Sequence, residues 1–197
     1  AEKMREAILA LKEKNAEAYV IDLRNNPGGL LYASIEMARM WLQKGAIVST
    51  VDRDGGDRAF QANNTALTDK PLAVLINGNS ASASEILAGA LKDNNRAVLV
   101  GSQSYGKGTV QSVSALSDGS GIAVTVARYY PPSGTDINQK GIEPDVKTPL
   151  DRSAQLRLSA NPELQGTLQD PQFASAIAIL NQQLGKAPRE GTSFSQQ

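Results

Sequence analysis

Short apolar runs alternate with amphipathic helical segments along the first two thirds of the 197-residue chain. Residues 18–23 (AYVIDL) and 72–77 (LAVLIN) are apolar runs bounded by turn residues, a pattern typical of strands buried on both faces. Between them, residues 31–42 repeat apolar side chains at helical spacing. Strands interleaved with helices favour an α/β fold, in which helices pack against the faces of a sheet.

Further elements continue this alternation and then give way to helices alone. The sequence predicts helices at residues 4–11, 86–91, 151–164 and 170–184, strands at residues 46–51, 97–100, 109–113 and 122–126, and an exposed turn at residues 52–58. Because the composition shifts near residue 150, we expect a globular core over residues 1–150 and a C-terminal helical extension over residues 151–197, mobile from residue 185 onward.

Charge and composition exclude several functional classes. Twenty basic residues balance twenty acidic ones, so the chain offers no general surface for nucleic acid. The absence of histidine and cysteine excludes a Ser-His-Asp triad, a Cys-His dyad and a metal site built on imidazole or thiolate. We expect no metal and no cofactor. No apolar run approaches the length of a membrane span, and the start at Ala1 inside a helical pattern predicts a piece of a longer protein.

Three serines follow the buried run at residues 72–77 and open a predicted helix. A hydroxyl of Ser80, Ser82 or Ser84 at such a turn could lie at the edge of the sheet. There the free N–H groups and the positive end of the helix favour a developing oxyanion. The sequence pattern alone does not choose among the three, and helix capping by serine is the ordinary alternative.

Lys107 is the base that a serine nucleophile would need in this chain. The ordinary pKa of lysine is about 10.4, so a lysine base requires surroundings that favour its neutral form. No acidic residue lies within six positions of Lys107, which suits a neutral amine. Gln111 lies four positions on, and in an extended strand its side chain would share a face with Lys107 and could orient the amine. The ordinary alternative is a solvated loop lysine.

A glycine-rich turn at residues 25–29 (NNPGG) could supply the third part of such a site. Tandem glycines at the end of a strand let backbone N–H groups approach a ligand closely. Gly28 could donate one N–H to an oxyanion, and the residue after the nucleophile could donate the other. An ordinary turn at the start of a helix is the alternative.

A rival motif occurs at residues 101–107 (GSQSYGK), which match the first seven positions of a P-loop. Position eight is Gly108 instead of Ser or Thr, so the magnesium ligand is missing. A P-loop must also lead into a helix, whereas residues 109–113 are β-branched and predict a strand. Nucleotide hydrolysis is therefore disfavoured, and the structure of residues 109–114 decides the matter.

Taken together, these segments resemble the carboxy-terminal processing peptidases, or tail-specific proteases, a serine–lysine family. The resemblance rests on four segments in family order, at residues 22–30 (DLRNNPGGL), 80–86 (SASASEI), 106–111 (GKGTVQ) and 141–145 (GIEPD). It implies the crotonase/ClpP-like spiral of β-β-α units, here followed by a C-terminal helical extension. Residues 1–150 would then be the protease core, incomplete at its N-terminus.

The resemblance also assigns roles to individual residues. The family nucleophile precedes the lysine by 25 residues, which selects Ser82 as nucleophile and Lys107 as general base. Gln111 resembles the residue that positions the lysine, and Gly28 and Ala83 resemble the donors of the oxyanion hole. Glu85 has no such role and is expected to be an acid favoured by the helix dipole.

The resemblance further implies partners and a location. Such enzymes cleave protein or peptide substrates with an apolar C-terminus by way of an acyl-enzyme, and a homo-oligomer is one possible state. Family members also carry a PDZ domain, which binds the C-terminus of the substrate, and a first core strand, and both would precede Ala1. Residues 31–42 and 161–167 (NPELQGT) are most similar to cyanobacterial and chloroplast members, which trim a photosystem II subunit in the thylakoid lumen. This implies an extracytoplasmic location, in the periplasm or thylakoid lumen. The alternative function is a non-catalytic peptide-binding or oligomerisation module of the same fold.

Overall fold

Eight strands of the computed structural model, which describes residues 1–186, form two four-stranded sheets. In chain order the elements are α1 (Glu2–Glu13), β1 (Tyr19–Asp22), α2 (Leu31–Arg39), β2 (Ala46–Asp52), β3 (Asp57–Gln61), β4 (Leu72–Ile76), α3 (Ala83–Asp93), β5 (Val98–Gly101), β6 (Thr109–Ala115), β7 (Gly121–Tyr130), β8 (Val146–Lys147), α4 (Arg152–Ala160), a short 3-10 helix (Pro162–Leu164) and α5 (Pro171–Gln183).

The first sheet is parallel, in the order β1-β4-β5-β8, and its central strand β4 is buried along its whole length. Leu72, Val74 and Ile76 belong to the larger apolar core, which includes side chains of α2 and α3. Ala73 and Leu75 point to the opposite face, where α5 packs. Burial on both faces explains why this strand is apolar at every position instead of alternating.

The second sheet is antiparallel, in the order β3-β2-β7-β6. Strand β2 carries the buried residues Ile47 and Val48, which join this sheet to the larger core. Strand β6 lies at one edge of this sheet, opposite β3, and pairs only with β7 within the described residues. The β6–β7 hairpin is largely exposed on both faces, so β6 presents an open edge.

This architecture confirms the predicted α/β fold with a C-terminal helical extension. The predicted turn at residues 52–58 was partly wrong, because β3 begins at Asp57 and pairs with β2. The helix predicted at residues 151–164 ends at Ala160, since Pro162 follows and cannot donate a helical hydrogen bond.

Of the tail predicted to be mobile from residue 185, residues 187–197 lie outside the described part of the chain. No helix within residues 1–186 is long and apolar enough to cross a membrane.

Candidate active site

The candidate site lies at the edge of the parallel sheet where β1 and β4 end. Because these strands are parallel neighbours, the residues that follow each of them meet at the same edge. The turn at residues 25–29 follows β1, and the serine-containing segment at residues 77–82 follows β4. The two are joined directly, since Asn25 N donates to Asn77 Oδ1 at 3.0 Å.

The three candidate serines have different surroundings. The buried Ser80 hydroxyl donates to the Leu23 carbonyl oxygen at 2.7 Å. The buried Ser84 hydroxyl donates to the Asn26 carbonyl oxygen at 3.1 Å. Both hydroxyls therefore hold the turn after β1 against the start of α3. Ser82 is half-buried and has no comparable contact with that turn.

Ser82 is the N-cap of α3 and has the unusual backbone angles φ 55° and ψ −118°. A non-glycine residue in such a region costs on the order of 1–3 kcal/mol, so the surrounding structure must hold it there. The Glu85 carboxylate accepts the Ser82 N–H at 2.8 Å, and the Tyr129 hydroxyl donates to the Ser82 carbonyl oxygen at 3.1 Å. These two contacts fix both sides of the strained residue.

Glu85 is 1% exposed and does more than complement the helix dipole. Its Oε2 atom accepts the N–H groups of Ser82, at 2.8 Å, and Lys107, at 2.9 Å. Its Oε1 atom accepts the Ser104 hydroxyl at 2.6 Å and the Gly106 N–H at 2.7 Å. One buried carboxylate therefore joins the start of α3 to the loop that carries Lys107.

Tyr129 makes a second connection between the same two segments. Its hydroxyl contacts the carbonyl oxygens of both Ser82 and Lys107. Burial, together with the negative charge of the nearby Glu85 carboxylate, raises the pKa of Tyr129 far above its ordinary value. The phenol therefore keeps its proton and remains a donor.

Lys107 is half-buried, and its Nζ atom lies 3.4 Å from Gln111 Oε1. The two side chains that the sequence placed on one face are thus in contact. No hydrogen bond joins the Ser82 hydroxyl to Lys107 Nζ within residues 1–186. The structure therefore brings the backbones of the two residues together, through Glu85 and Tyr129, without closing their side chains into a dyad.

Gly28 lies directly against the first residues of α3. A Cβ atom on Gly28 would lie 2.8 Å from Ala83 N and 3.0 Å from Ser82 Cβ, and φ is +103°, so only glycine fits without strain. The Ala83 N–H has no acceptor within the described residues. The Gly28 N–H donates to Asn26 Oδ1 at 2.9 Å, so one of the two expected oxyanion donors is engaged by its own turn.

Arg24 is a buried cation beside this turn. Its guanidinium bonds Asp22 and Asp170, with closest contacts of 2.6 and 2.7 Å. Burial opposes the charge, but the hydrogen bonds and charges of the two carboxylates outweigh it and raise the pKa of Arg24 above its ordinary value. The described residues contain no cluster of acidic side chains placed to hold a metal ion.

The P-loop alternative fails on its own criterion, because residues 109–115 form strand β6 and not a helix. Sequence reasoning also missed three contributors to the site. Glu85 had a signal, since Ser-x-x-Glu before an apolar helix is a capping-box pattern. Tyr129 and Asp170 had none, because each is separated by many positions from the residues that it contacts.

The fold and the site define an α/β protein with a half-buried serine and lysine at the edge of a parallel sheet. A sequence model described as Peptidase family S41 matches residues 1–148 of this chain. The chain belongs to this family of peptidases.

Several known proteins are similar to this chain. The "Carboxyl-terminal-processing protease" of Synechocystis sp. is 53% identical over 164 residues, which are 82% of this chain and 38% of that protein. The chloroplastic "Carboxyl-terminal-processing peptidase 2" of Arabidopsis thaliana is 49% identical over 92% of this chain and 34% of its own length. The chain thus spans less than half the length of these relatives.

Two solved structures have a similar fold. The photosystem II D1 C-terminal processing protease superimposes with a TM-score of 0.71 at 41% identity, over 86% of this chain and 44% of that one. Mature CPAF superimposes with a TM-score of 0.70 over 92% of this chain and 47% of that one. Its 17% identity shows a shared fold alone.

Proposed function

We propose that this chain is the catalytic core of a serine endopeptidase in which Ser82 is the nucleophile and Lys107 the general base. The main support for this proposal is that the Glu85 carboxylate accepts the backbone N–H groups of both Ser82 and Lys107. Because Glu85 holds the backbones of both residues, Lys107 is near enough to Ser82 to act as its general base. Ser80 and Ser84 are less suitable nucleophiles, because their hydroxyls are buried and bonded to backbone carbonyls.

The proposed reaction is an acyl transfer in two stages. The Ser82 hydroxyl oxygen attacks the peptide carbonyl carbon while neutral Lys107 Nζ takes the hydroxyl proton. The C–N bond then breaks, and the lysine returns the proton to the leaving amine. Water attacks the resulting ester and gives a proton to Lys107 Nζ. The C–O bond to Ser82 then breaks, the Ser82 oxygen takes that proton back from the lysine, and the new C-terminus is released. The N–H groups of Gly28 and Ala83 stabilise the oxyanion of each tetrahedral intermediate.

Two local rearrangements complete the site in this mechanism. The Gly28 N–H leaves Asn26 Oδ1, to which it donates at 2.9 Å, and turns to the substrate oxygen. The Lys107 amine moves from its position near Gln111 to the Ser82 hydroxyl, while Gln111 keeps the chain of the lysine oriented. Catalytic hydrogen bonds that close only in the substrate complex are common in enzymes.

The open edge of β6 supports recognition of an extended substrate. This strand carries Gln111 and begins two residues after Lys107, so a peptide that pairs with its edge would run past the catalytic residues. Exposed apolar side chains flank the same segments, with Tyr105 64% and Val113 76% exposed. We therefore propose protein or peptide substrates cut near an apolar C-terminus. The names of the relatives, which are carboxyl-terminal-processing enzymes of cyanobacteria and chloroplasts, support this and an extracytoplasmic location such as the thylakoid lumen.

The test is proteolysis of an unfolded protein with an apolar C-terminus by the complete protein. We expect Ser82→Ala and Lys107→Ala each to abolish cleavage while leaving the circular dichroism spectrum unchanged. Lys140→Ala is the matched control, since its exposed side chain lies on the neighbouring loop and should be dispensable. Cleavage by either folded catalytic variant would refute the assignment. A wild-type protein that binds the substrate without cutting it would favour the non-catalytic module.

A further inference from the structure

Asp170 lies outside the matched family segment but makes a buried contact with the site. It is 0% exposed and stands at the N-terminus of α5, where its Oδ1 atom accepts the N–H groups of Gln172 and Phe173. The same carboxylate receives two hydrogen bonds from the Arg24 guanidinium, at 3.0 and 2.7 Å. A single side chain therefore caps the C-terminal helix and binds a core residue 146 positions away.

The position of Asp170 is fixed independently of Arg24. Helix α5 packs its Ala176 and Leu180 against the face of the parallel sheet that carries Leu75 and Val100. Gln172 adds a second acceptor, since its Oε1 atom receives a hydrogen bond from Arg24 Nη1 at 3.0 Å. The start of α5 thus binds the guanidinium through a carboxylate and an amide oxygen that are both held in place by the packing of the helix.

The contact with Asp170 also restrains the turn at residues 25–29, which carries the proposed oxyanion donor, because Asn25 follows Arg24 directly in the chain. Asn26, the next residue, accepts hydrogen bonds from the Ala81 N–H and the Ser84 hydroxyl through its carbonyl oxygen. Gly28, two residues further on, lies against Ala83 N. The turn is therefore held at Arg24 by the start of α5, and at Asn26 by Ala81 and Ser84.

We propose that Asp170 is a positioning residue for the peptidase reaction, acting through Arg24 to hold the turn that carries the Gly28 oxyanion donor. The inference rests on the proposed function, because it presupposes that Gly28 binds the oxyanion. It gives the start of α5 a part in catalysis, although neither Asp170 nor Gln172 forms a hydrogen bond with Ser82 or Lys107.

The charge of Asp170 matters in this arrangement because Arg24 is itself buried. Asp22 is the other carboxylate on the guanidinium, and its side chain is 43% exposed against 0% for that of Asp170. Without the buried charge, Arg24 would be drawn toward Asp22 and toward solvent, and the turn would follow it. Burial opposes ionisation of Asp170, but Arg24 and the N–H groups of Gly166 and Phe173 hold the pKa of this carboxyl below its ordinary value.

The test is the Asp170→Asn variant of the complete protein, compared with wild type in steady-state proteolysis. Asparagine keeps the helix cap and the shape of the side chain but removes the charge. A small displacement of a catalytic group can lower turnover by up to about 10²-fold, so we expect kcat to fall roughly 10- to 50-fold with KM within about twofold. Asp151→Asn is the matched control, since Asp151 caps α4 in the same way without contacting Arg24, and it should keep wild-type kcat.

A second comparison separates this role from general loss of structure. If Asp170 acts through Arg24, adding Asp170→Asn to an Arg24→Met protein should lower kcat no further, because the link is already broken. A folded Asp170→Asn protein with wild-type kcat, or independent effects of the two substitutions, would overturn the inference. If Asp170→Asn does not fold, Gln172→Met removes one acceptor of Arg24, together with the hydrogen bond from Gln172 to the Thr148 carbonyl oxygen, without removing a charge. It should lower kcat about threefold, and a folded Gln172→Met protein with unchanged kcat would overturn the inference.

The outcome is distinguishable from failure of the proposed function. Wild-type kcat in Asp170→Asn, with inactive Ser82→Ala and Lys107→Ala proteins, would remove the positioning role and keep the dyad. Activity in Ser82→Ala would remove the dyad itself.

Discussion

The Gly28→Ala substitution tests the proposed oxyanion hole most sharply. An alanine Cβ would lie 2.6 Å from the Ala81 carbonyl oxygen and 2.8 Å from Ala83 N. Both atoms belong to the backbone, so neither can rotate away as a flexible side chain would. The glycine turn and the start of α3 would have to separate by about half an ångström or more to reach ordinary van der Waals contact.

Two costs follow from this geometry. The φ angle of +103° imposes a strain of about 1–3 kcal/mol on any residue with a Cβ atom. The forced separation displaces Gly28 N from Ala83 N, and removal of one oxyanion donor costs about 10²–10³-fold in kcat. We therefore expect Gly28→Ala to lower kcat by about 10²-fold or more while KM changes little, since the loss falls on the transition state.

The assay pairs steady-state proteolysis with urea unfolding. Gly55→Ala is the matched control, because Gly55 also has a positive φ angle, +83°, but nothing lies within 4 Å of its Cβ position. Both variants should lose stability through backbone strain, and only Gly28→Ala should lose activity. A folded Gly28→Ala protein with kcat within threefold of wild type would refute the placement of the oxyanion hole at this turn.

Three further predictions concern the residues that hold the site together. Tyr129→Phe should lower the free energy of unfolding by about 1–2 kcal/mol, measured by urea titration, and kcat by about tenfold, because the carbonyl oxygens of Ser82 and Lys107 lose the one hydroxyl proton that they share; an unchanged kcat would contradict the linking role. Glu85→Gln should lower the free energy of unfolding by about 3 kcal/mol, since an amide cannot accept all four donors that bind the carboxylate. Equal free energies of unfolding for variant and wild type at pH 7 would contradict this role of Glu85. The stability advantage of wild type over Asp170→Asn should be complete above pH 3.8, the ordinary pKa of aspartate, and should disappear as the pH falls through the lower pKa of the folded protein. Unfolding titrations between pH 2 and 7 measure this difference, and a gap that widens in acid would reverse the assigned direction.

The strongly patterned elements were predictable from the sequence. Strand β4 and helix α3 follow from an apolar run, a small-residue turn and a capping-box pattern that all lie within about twenty positions. The short strand β8 (Val146–Lys147) was not predictable, because it is defined by pairing with β5, some 46 positions earlier, and not by its own composition.

Some features of the candidate site were also predictable from the sequence, and others were not. The position of Gln111 on the same face as Lys107 follows from the alternation of side chains along an extended segment. The role of Glu85 as a common acceptor for two segments does not, since local reasoning treats an acid in the first turn of a helix only as a partner of the helix dipole. Contacts between distant positions, such as Arg24 with Asp170, require the fold itself.

Trapping of the acyl-enzyme would identify the nucleophilic serine of this protein. The complete protein would be mixed with an activated ester of a short apolar peptide, quenched in acid within milliseconds to seconds, digested and mapped by mass spectrometry. We expect an acyl adduct on Ser82, absent in Ser82→Ala and formed far more slowly in Lys107→Ala. An adduct on Ser80 or Ser84, or equal rates of acylation in wild type and Lys107→Ala, would contradict it.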